Sequence, residues 1–180
     1  MATKRAKQRK STSRNKLNLI LGLIVVGLVL IIAVPIIVNR VQSANLPGER
    51  FGDQGNTHIA DTATAHPEYN SNPPTSGWHV GNIANWGSHD YEVPDERLLH
   101  NMEDGGVILW YKLGTQEENR ASIQRLEEVS QGYRRTVIAP RQDLETPYAL
   151  TAWQRKQSFA EVDEAGMRAF LEAYEGIDNH

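Results

Sequence analysis

The residues best suited to chemistry in this 180-residue chain are its histidines and the carboxylates near them. Five of the six histidines, His58, His66, His79, His89 and His100, fall between residues 58 and 100. The sixth, His180, is the last residue and is expected to be inert. His100, Glu103 and Asp104 follow one another at i, i+3 and i+4, so a helix there places all three on one face and Leu98, Leu99 and Met102 on the other. Glu103 and Asp104 would then sit in the last turn, where the helix dipole disfavours negative charge by a few tenths to ~1 kcal/mol. A locally unfavourable choice of this kind points to a use. A carboxylate beside an imidazole can set its tautomer, raise its pKa or join it on a metal; the plain alternative is a His–Glu surface pair at a helix end. The second constellation is Asn72-Pro73-Pro74-Thr75-Ser76-Gly77-Trp78-His79. Two prolines and a glycine hold the backbone, so Thr75, Ser76 and His79 are presented in one geometry. Its alternative is a tight loop packed by Trp78 and Trp86.

Several chemistries are excluded or disfavoured by what is missing. The chain has no cysteine, which removes disulfide scaffolds, Cys–zinc knuckles, iron–sulfur clusters and thiol catalysis. Its methionines are Met1, Met102 and Met167, too few and too scattered for a soft copper(I) site. A serine hydrolase would need Ser76 with His79 or His100 as base, but G-x-S-x-G is absent. Gly105-Gly106 lies after a helix and before a strand, the reverse of a phosphate-cradling loop; it reads as a helix C-cap with close backbone approach.

The elements that must position these residues begin with an anchor. Leu17 to Val38 is a 22-residue run without a charge, long enough at ~1.5 Å per residue to cross a ~30 Å hydrocarbon core with some tilt. A cleaved signal peptide has a shorter apolar region, roughly 7–15 residues, and Val41-Gln42-Ser43 is only a fair cleavage site. Residues 1–16 hold seven basic side chains and no acid, whereas residues 41–180 hold 11 basic and all 22 acidic ones. The positive-inside rule therefore keeps the N-terminal side in the cytoplasm and places the C-terminal domain outside. The basic segment has no aromatic interleaving, so topogenic charge and anionic lipid account for it better than nucleic acid. The expected organisation is a basic cytoplasmic segment 1–16, a transmembrane helix 17–38, a linker 39–56 and an extracytoplasmic globular domain 57–180. Its partners are the lipid bilayer through residues 17–38 and a membrane protein, with no nucleic acid.

Within the domain, residues 57–92 read as a long irregular but ordered His/Trp-rich loop, since Tyr69, Trp78 and Trp86 argue against disorder. Asp95 is placed as the cap of a short helix that ends at Gly105-Gly106. Residues 106–113, GVILWYKL, form a continuous apolar run suited to a buried central strand. Thr115 and Glu118 form a capping box for a helix with Ile123, Leu126 and Val129 on one face, stopping at Gly132. Strands are expected at Thr136–Ala139, ended by Pro140, and at Tyr148–Trp153. A last helix starts at Asp163, with Val162 and Met167 as a staple and Met167, Phe170, Leu171 and Tyr174 as its buried stripe. The order predicts one α+β domain with a small mixed sheet of about three strands and two or three packed helices.

PPTSGWH (73–79), WG (86–87), HNMEDGGV (100–107) and ALTAW (149–153), in this order behind one anchor helix, resemble the uncharacterised domain-of-unknown-function family numbered 3105. The resemblance covers roughly residues 57–176. It implies as motif positions Pro73, Pro74, Thr75, Ser76, Gly77, His79, Trp86, Gly87, His100, Glu103, Gly105 and Gly106. The chain departs from the family pattern at Asp104, where a second His is usual, and at His89, where a Tyr is usual. The family pattern H-x-x-E-H looks like an inverted zinc-hydrolase motif, but that motif sits within a long helix and here two glycines end the helix at once. Asp can replace His as a ligand of zinc, manganese or iron, though not as a proton shuttle near neutral pH. A retained metal site thus predicts that His79, His100, Asp104 and Glu103 converge, with the His79 and His100 imidazoles within ~5 Å.

Three readings follow. The first is a membrane-tethered extracytoplasmic domain that binds one divalent transition metal (zinc, manganese, iron or copper(II)) through the His/carboxylate cluster, as an accessory or delivery factor. The second is a non-catalytic interaction module or accessory subunit of a membrane complex. The third, a metal-assisted hydrolase, has less behind it, so the balance leans away from an enzyme. No catalytic residue is assigned.

Overall fold

A computed structural model describes residues 18–35 and 46–180. The basic segment 1–16, the ends of the expected span at 17 and 36–38, and linker residues 39–45 lie outside the described residues. The chain divides into two compact units, residues 1–46 and 47–180.

In the first unit, Asn18–Pro35 forms helix α1, which is unburied and is long and apolar enough to cross a membrane.

The second unit is α+β. Its central element is strand β5 (Val107–Lys112), buried along all but its last residue. Successive side chains of a strand point to opposite faces, and β5 divides the core accordingly. Val107, Leu109 and Tyr111 join one apolar cluster with helix α3 (Gln116–Val129) and helix α4 (Glu164–Tyr174). Ile108 and Trp110 join the other with helix α2 (Asp95–Glu103), through Leu98, Leu99 and Met102. A strand covered on both faces reads as an unbroken apolar run, which is why VILWY was legible. Parallel to β5 lies β6 (Thr136–Arg141), reached through α3. Antiparallel to it on the other side lies β7 (Tyr148–Ala152). A tight hairpin, with Gln154 at φ +60, continues β7 into β8 (Arg155–Phe159).

The sheet has six strands where three were expected. The additions are β8 and two-residue strands at both edges: β1 (Glu49–Arg50), antiparallel to β8, and β4 (Gly87–Ser88), parallel to β6. Residues 47–56, assigned from sequence to the linker, belong to the compact unit. A second, two-stranded parallel sheet pairs β2 (His58–Ile59) with β3 (His79–Val80) inside the stretch read as an irregular loop.

Local signals set most of the helix ends. Thr115 and Glu118 make the capping box of α3, and the Asp163 side chain accepts from the Gly166 amide at the start of α4. The α4 stripe is buried as expected at Met167, Phe170, Leu171 and Tyr174, while Leu126 and Val129 of α3 are buried and Ile123 only partly. Pro140 does not end β6 but lies within it, its neighbour being Tyr111 across the ladder. The start of α2 also needs correcting. Pro94 holds the N-cap position without a side-chain cap, and Asp95 is the first helical residue. Its carboxylate is taken by Arg141, whose Nη1 donates to Oδ1 at 2.6 Å, and Arg141 in turn lies 5.4 Å over the Trp110 ring.

Candidate metal centre

Helix α2 carries the site. Its apolar face locks into the sheet, and Asn101 fixes it laterally, accepting from the Ala84 amide and donating to the Ala84 carbonyl at 2.9 and 3.0 Å. Its end is a Schellman motif: the Gly106 amide donates to Asn101 O at 2.7 Å and the Gly105 amide to Met102 O at 3.1 Å. Gly105 stands at φ +80, and a Cβ there would lie 2.9 Å from the Gly176 and Ile177 backbone. The position demands glycine twice, for its dihedral and for the strand of chain that crosses it. The Gly176 amide donates to Gly105 O, and the Asn179 amide to Glu103 O. Gly106 leaves room for the Trp86 ring, which brings the WG and GGV segments of this chain into contact.

This framework aims Glu103 into the protein, its side chain 1% exposed. Four imidazoles face its Oε2: His79 Nε2 at 2.9 Å, His58 Nε2 at 3.3 Å, His180 Nε2 at 3.6 Å and His100 Nδ1 at 3.7 Å. Ring centroids of His58, His79 and His100 are 4.9–5.2 Å apart. One ligand atom from each of His58, His79, His100 and Glu103 lies within 4.8 Å of all the others. His58 and His79 meet because they are opposite one another in the β2–β3 register.

The tautomer of His79 follows from its partners. A carbonyl only accepts, so the 2.8 Å contact with Gly77 O makes Nδ1 the donor. In the neutral ring Nε2 then presents a lone pair to a carboxylate oxygen 2.9 Å away. Two acceptors at that distance require a cation between or upon them, either a proton or a metal ion. Protons satisfy such a cluster poorly, because one oxygen has two lone pairs and adjacent imidazolium ions repel. Two further atoms are buried without any hydrogen-bond partner, His100 Nδ1 and Glu103 Oε1. Buried polar atoms are almost always satisfied, so both have room for a further partner, an ion or a water molecule. Ligands ~2.05 Å from one ion lie about 2.9 Å apart at right angles and about 3.3 Å apart at the tetrahedral angle, the range spanned by the His79 and His58 contacts.

The electrostatics suit the same purpose. Burial pulls the His100 imidazole below its ordinary range, with His79 and His58 adding to the effect against Asp104 and Glu103; the neutral ring is the ligating form. Burial raises the Glu103 carboxyl, but the Asn56 side chain and the His79 and His58 imidazoles outweigh it. They hold the group below the usual carboxylate range.

Of the residues read from sequence as ligands, His79, His100 and Glu103 come together, and the His79–His100 separation is 5.2 Å between centroids. Asp104 stands apart from this set, in a second group with His100 and His180. His58 and His180 were missed. No local pattern distinguishes His58 from other loop histidines; only its pairing with β3 brings it in. His180, expected to be inert, is carried to Glu103 by the backbone bonds of residues 176–179. His66 and His89 belong to neither group: His66 contacts Pro67 O and Glu96, and His89 contacts Asn85 O and Tyr91. Ser76 is part of the scaffold. Its hydroxyl accepts from the Gln54 amide at 3.0 Å. Thr75 is buried, its carbonyl accepting from the Gln154 amide, and Pro73 and Pro74 precede it after a cis Asn72–Pro73 bond.

A family model described as a protein of unknown function (DUF3105) matches residues 61–179. No curated protein and no solved structure matches the chain. The matched span covers about two thirds of the sequence, including α2, the sheet core and all of the cluster except His58 and His180. The chain belongs to this family.

Proposed function

We propose that this family member is a membrane-tethered extracytoplasmic domain that binds one divalent transition metal through His58, His79, His100 and Glu103, as an accessory or delivery factor. The observation that carries the reading is the convergence of three imidazole nitrogens and a buried carboxylate oxygen, with the His79 lone pair aimed inward by Gly77 and two buried atoms unpartnered. Imidazoles with one carboxylate and no sulfur favour zinc, manganese, iron(II) or copper(II). Helix α1, its apolarity and the seven basic residues before it support the anchor and its orientation.

A delivery or accessory role fits the burial better than hydrolysis. Among these four ligands, His79 and Glu103 are inaccessible and His58 has the most exposed side chain. Catalytic metal sites keep an open position facing a cleft, whereas two of these four ligands are closed off from solvent. The interaction-module reading draws on Trp78, but Trp86 packs into the α2-side core, which weakens an aromatic docking patch.

The test uses the untagged full chain in detergent, dialysed against mixed zinc, copper(II), manganese and iron(II), beside His79→Ala/His100→Ala. About one equivalent of one metal in the wild type, absent from the double variant, is the expected result. No stoichiometric metal in the wild type overturns the reading.

A further inference from the structure

The inner cluster closes off His79 and Glu103 but meets solvent at two edges, His58 and His180, each with a side chain 49% exposed. His180 differs from His58 in bringing carboxylates of its own to that edge. Its Nδ1 lies 2.7 Å from Asp178 Oδ1. A carboxylate only accepts, so Nδ1–H donates and Nε2 is left as the ligating nitrogen. That nitrogen points inward, 3.6 Å from Asp104 Oδ1 and 3.6 Å from Glu103 Oε2. A carboxylate that fixes the tautomer of a ligand imidazole is the usual arrangement behind metal-binding histidines, and it mirrors what Gly77 O does for His79.

His100 stands between the two groups. Its Nδ1 faces Glu103 and is unpartnered, while its Nε2 faces Asp104 Oδ2 at 4.0 Å. His100, Asp104 and His180 each place one ligand atom within 4.8 Å of the others. Exposure falls along the same line: the His180 side chain is 49% exposed, Asp104 34%, His100 12% and Glu103 1%. The segment that carries His180 is held by three contacts to the end of α2, from Gly176 N to Gly105 O, from Asn179 N to Glu103 O and from Asn179 Nδ2 to Met102 O, and Asn179 Nδ2 also donates to Ile177 O within the segment.

The geometry points to an outer cation station built from His180, Asp104 and the Nε2 edge of His100, through which the divalent metal is loaded into and released from the inner site. This rests on the inner-site reading above and extends it to regulation of exchange. A neutral imidazole has one lone pair, so His100 serves the outer ion through Nε2 or the inner ion through Nδ1, with its single proton moving to the other nitrogen through solvent. The outer group therefore does not add a second permanent equivalent. His180 and Asp104 anchor a hydrated ion, with His100 turning from the outer to the inner site, while the ion's waters are exchanged for the inner ligands. Asp104 adds a harder oxygen donor to the station.

The experiment follows zinc by stopped flow in the full chain in detergent, with loading from buffered zinc and release to excess chelator, for the wild type and for His180→Ala, Asp104→Asn and Asp178→Asn. An exchange station changes rates without changing the end state. His180→Ala and Asp104→Asn are expected to slow loading and release together by about tenfold, with one equivalent bound and the affinity within twofold of wild type; Asp178→Asn, which loosens the His180 ring, gives a smaller slowing in both directions. Faster release with weakened affinity in His180→Ala would make His180 a permanent inner ligand and overturn the proposal. Unchanged rates in all three variants would overturn it as well. A wild type that takes up no zinc sinks the inner-site reading itself, so the two failures are separable.

Discussion

Helices α2 and α4 cover opposite faces of the same strand, and they are built to different standards. α4 is legible from its start and its stripe: an Asp163 cap, acid in the first turn and an apolar stripe at 3.6-residue spacing, with its acids at the far end exposed or half-exposed rather than buried. α2 starts without a side-chain cap, and it buries Asn101 and Glu103 beside its leucines. Its negative charge stands at the dipole end that disfavours it. Burying a carboxylate costs far more than burying a leucine gains unless the charge is met, and the groups that meet Glu103 come from residues 58, 79, 100 and 180. One helix is there to hold the sheet; the other holds the sheet and presents a charge to a set of imidazoles.

The contrast can be broken by substitution. The largest effect is on ligation: replacing His79 with Ala removes the ligand whose lone pair is best fixed, and metal content measured by mass spectrometry of the purified chain is expected to drop from about one equivalent to near zero. Phe170→Ala on α4 is the counterpart. It costs about 3–5 kcal/mol of stability by denaturant unfolding, yet whatever remains folded keeps its metal stoichiometry. If Phe170→Ala lost metal as completely as His79→Ala does, the division of labour between the helices would be wrong.

Smaller effects sharpen it. Metal at 100 times its dissociation constant is expected to stabilise the domain by about 2.7 kcal/mol, raising Tm by several degrees in calorimetry, and the shift should vanish in Glu103→Gln. Gly105→Ala forces a side chain into a left-handed position at about 1–2 kcal/mol and displaces residues 176–177, so it should lower Tm in the apo and loaded protein alike. pH acts in one direction only. Burial holds the His100 imidazole below the ordinary histidine range, so affinity in titration calorimetry stays level around neutral pH and weakens on acidification as that ring takes up a proton. Affinity that rose on acidification would argue for an imidazolium–carboxylate cluster without metal.

What could be read from the residues alone follows the same divide. The α3 and α4 caps, the stripe of α4 and the doubly buried β5 carry their information locally, in spacings of three, four and two. Half of the site was legible too, because His100 and Glu103 lie one helical turn apart and His79 sits in a proline-fixed turn. The rest depends on contacts between distant residues. β8 reads RKQSF, half-exposed and polar, and is a strand only because β7 turns back on it. β1 and β4 are two residues each and have no pattern to show. His58 and His180 resemble any loop or terminal histidine until β2–β3 pairing and the bonds across Gly105 put them beside Glu103. Asp104, adjacent to Glu103 in sequence, points to the outer group, a difference of about 100° around the helix that i+3 and i+4 spacing blurs.

The central claim is that imidazoles and one buried carboxylate form a single first coordination sphere. X-ray absorption at the zinc edge of the zinc-loaded full chain in detergent tests it most directly. The account predicts a low-coordinate site at ~2.0–2.1 Å whose outer-shell scattering fits about three histidines and one carboxylate oxygen, reduced by one histidine in His58→Ala. A spectrum with six oxygen-like neighbours and no imidazole scattering, the signature of a hydrated ion on the surface, would contradict it.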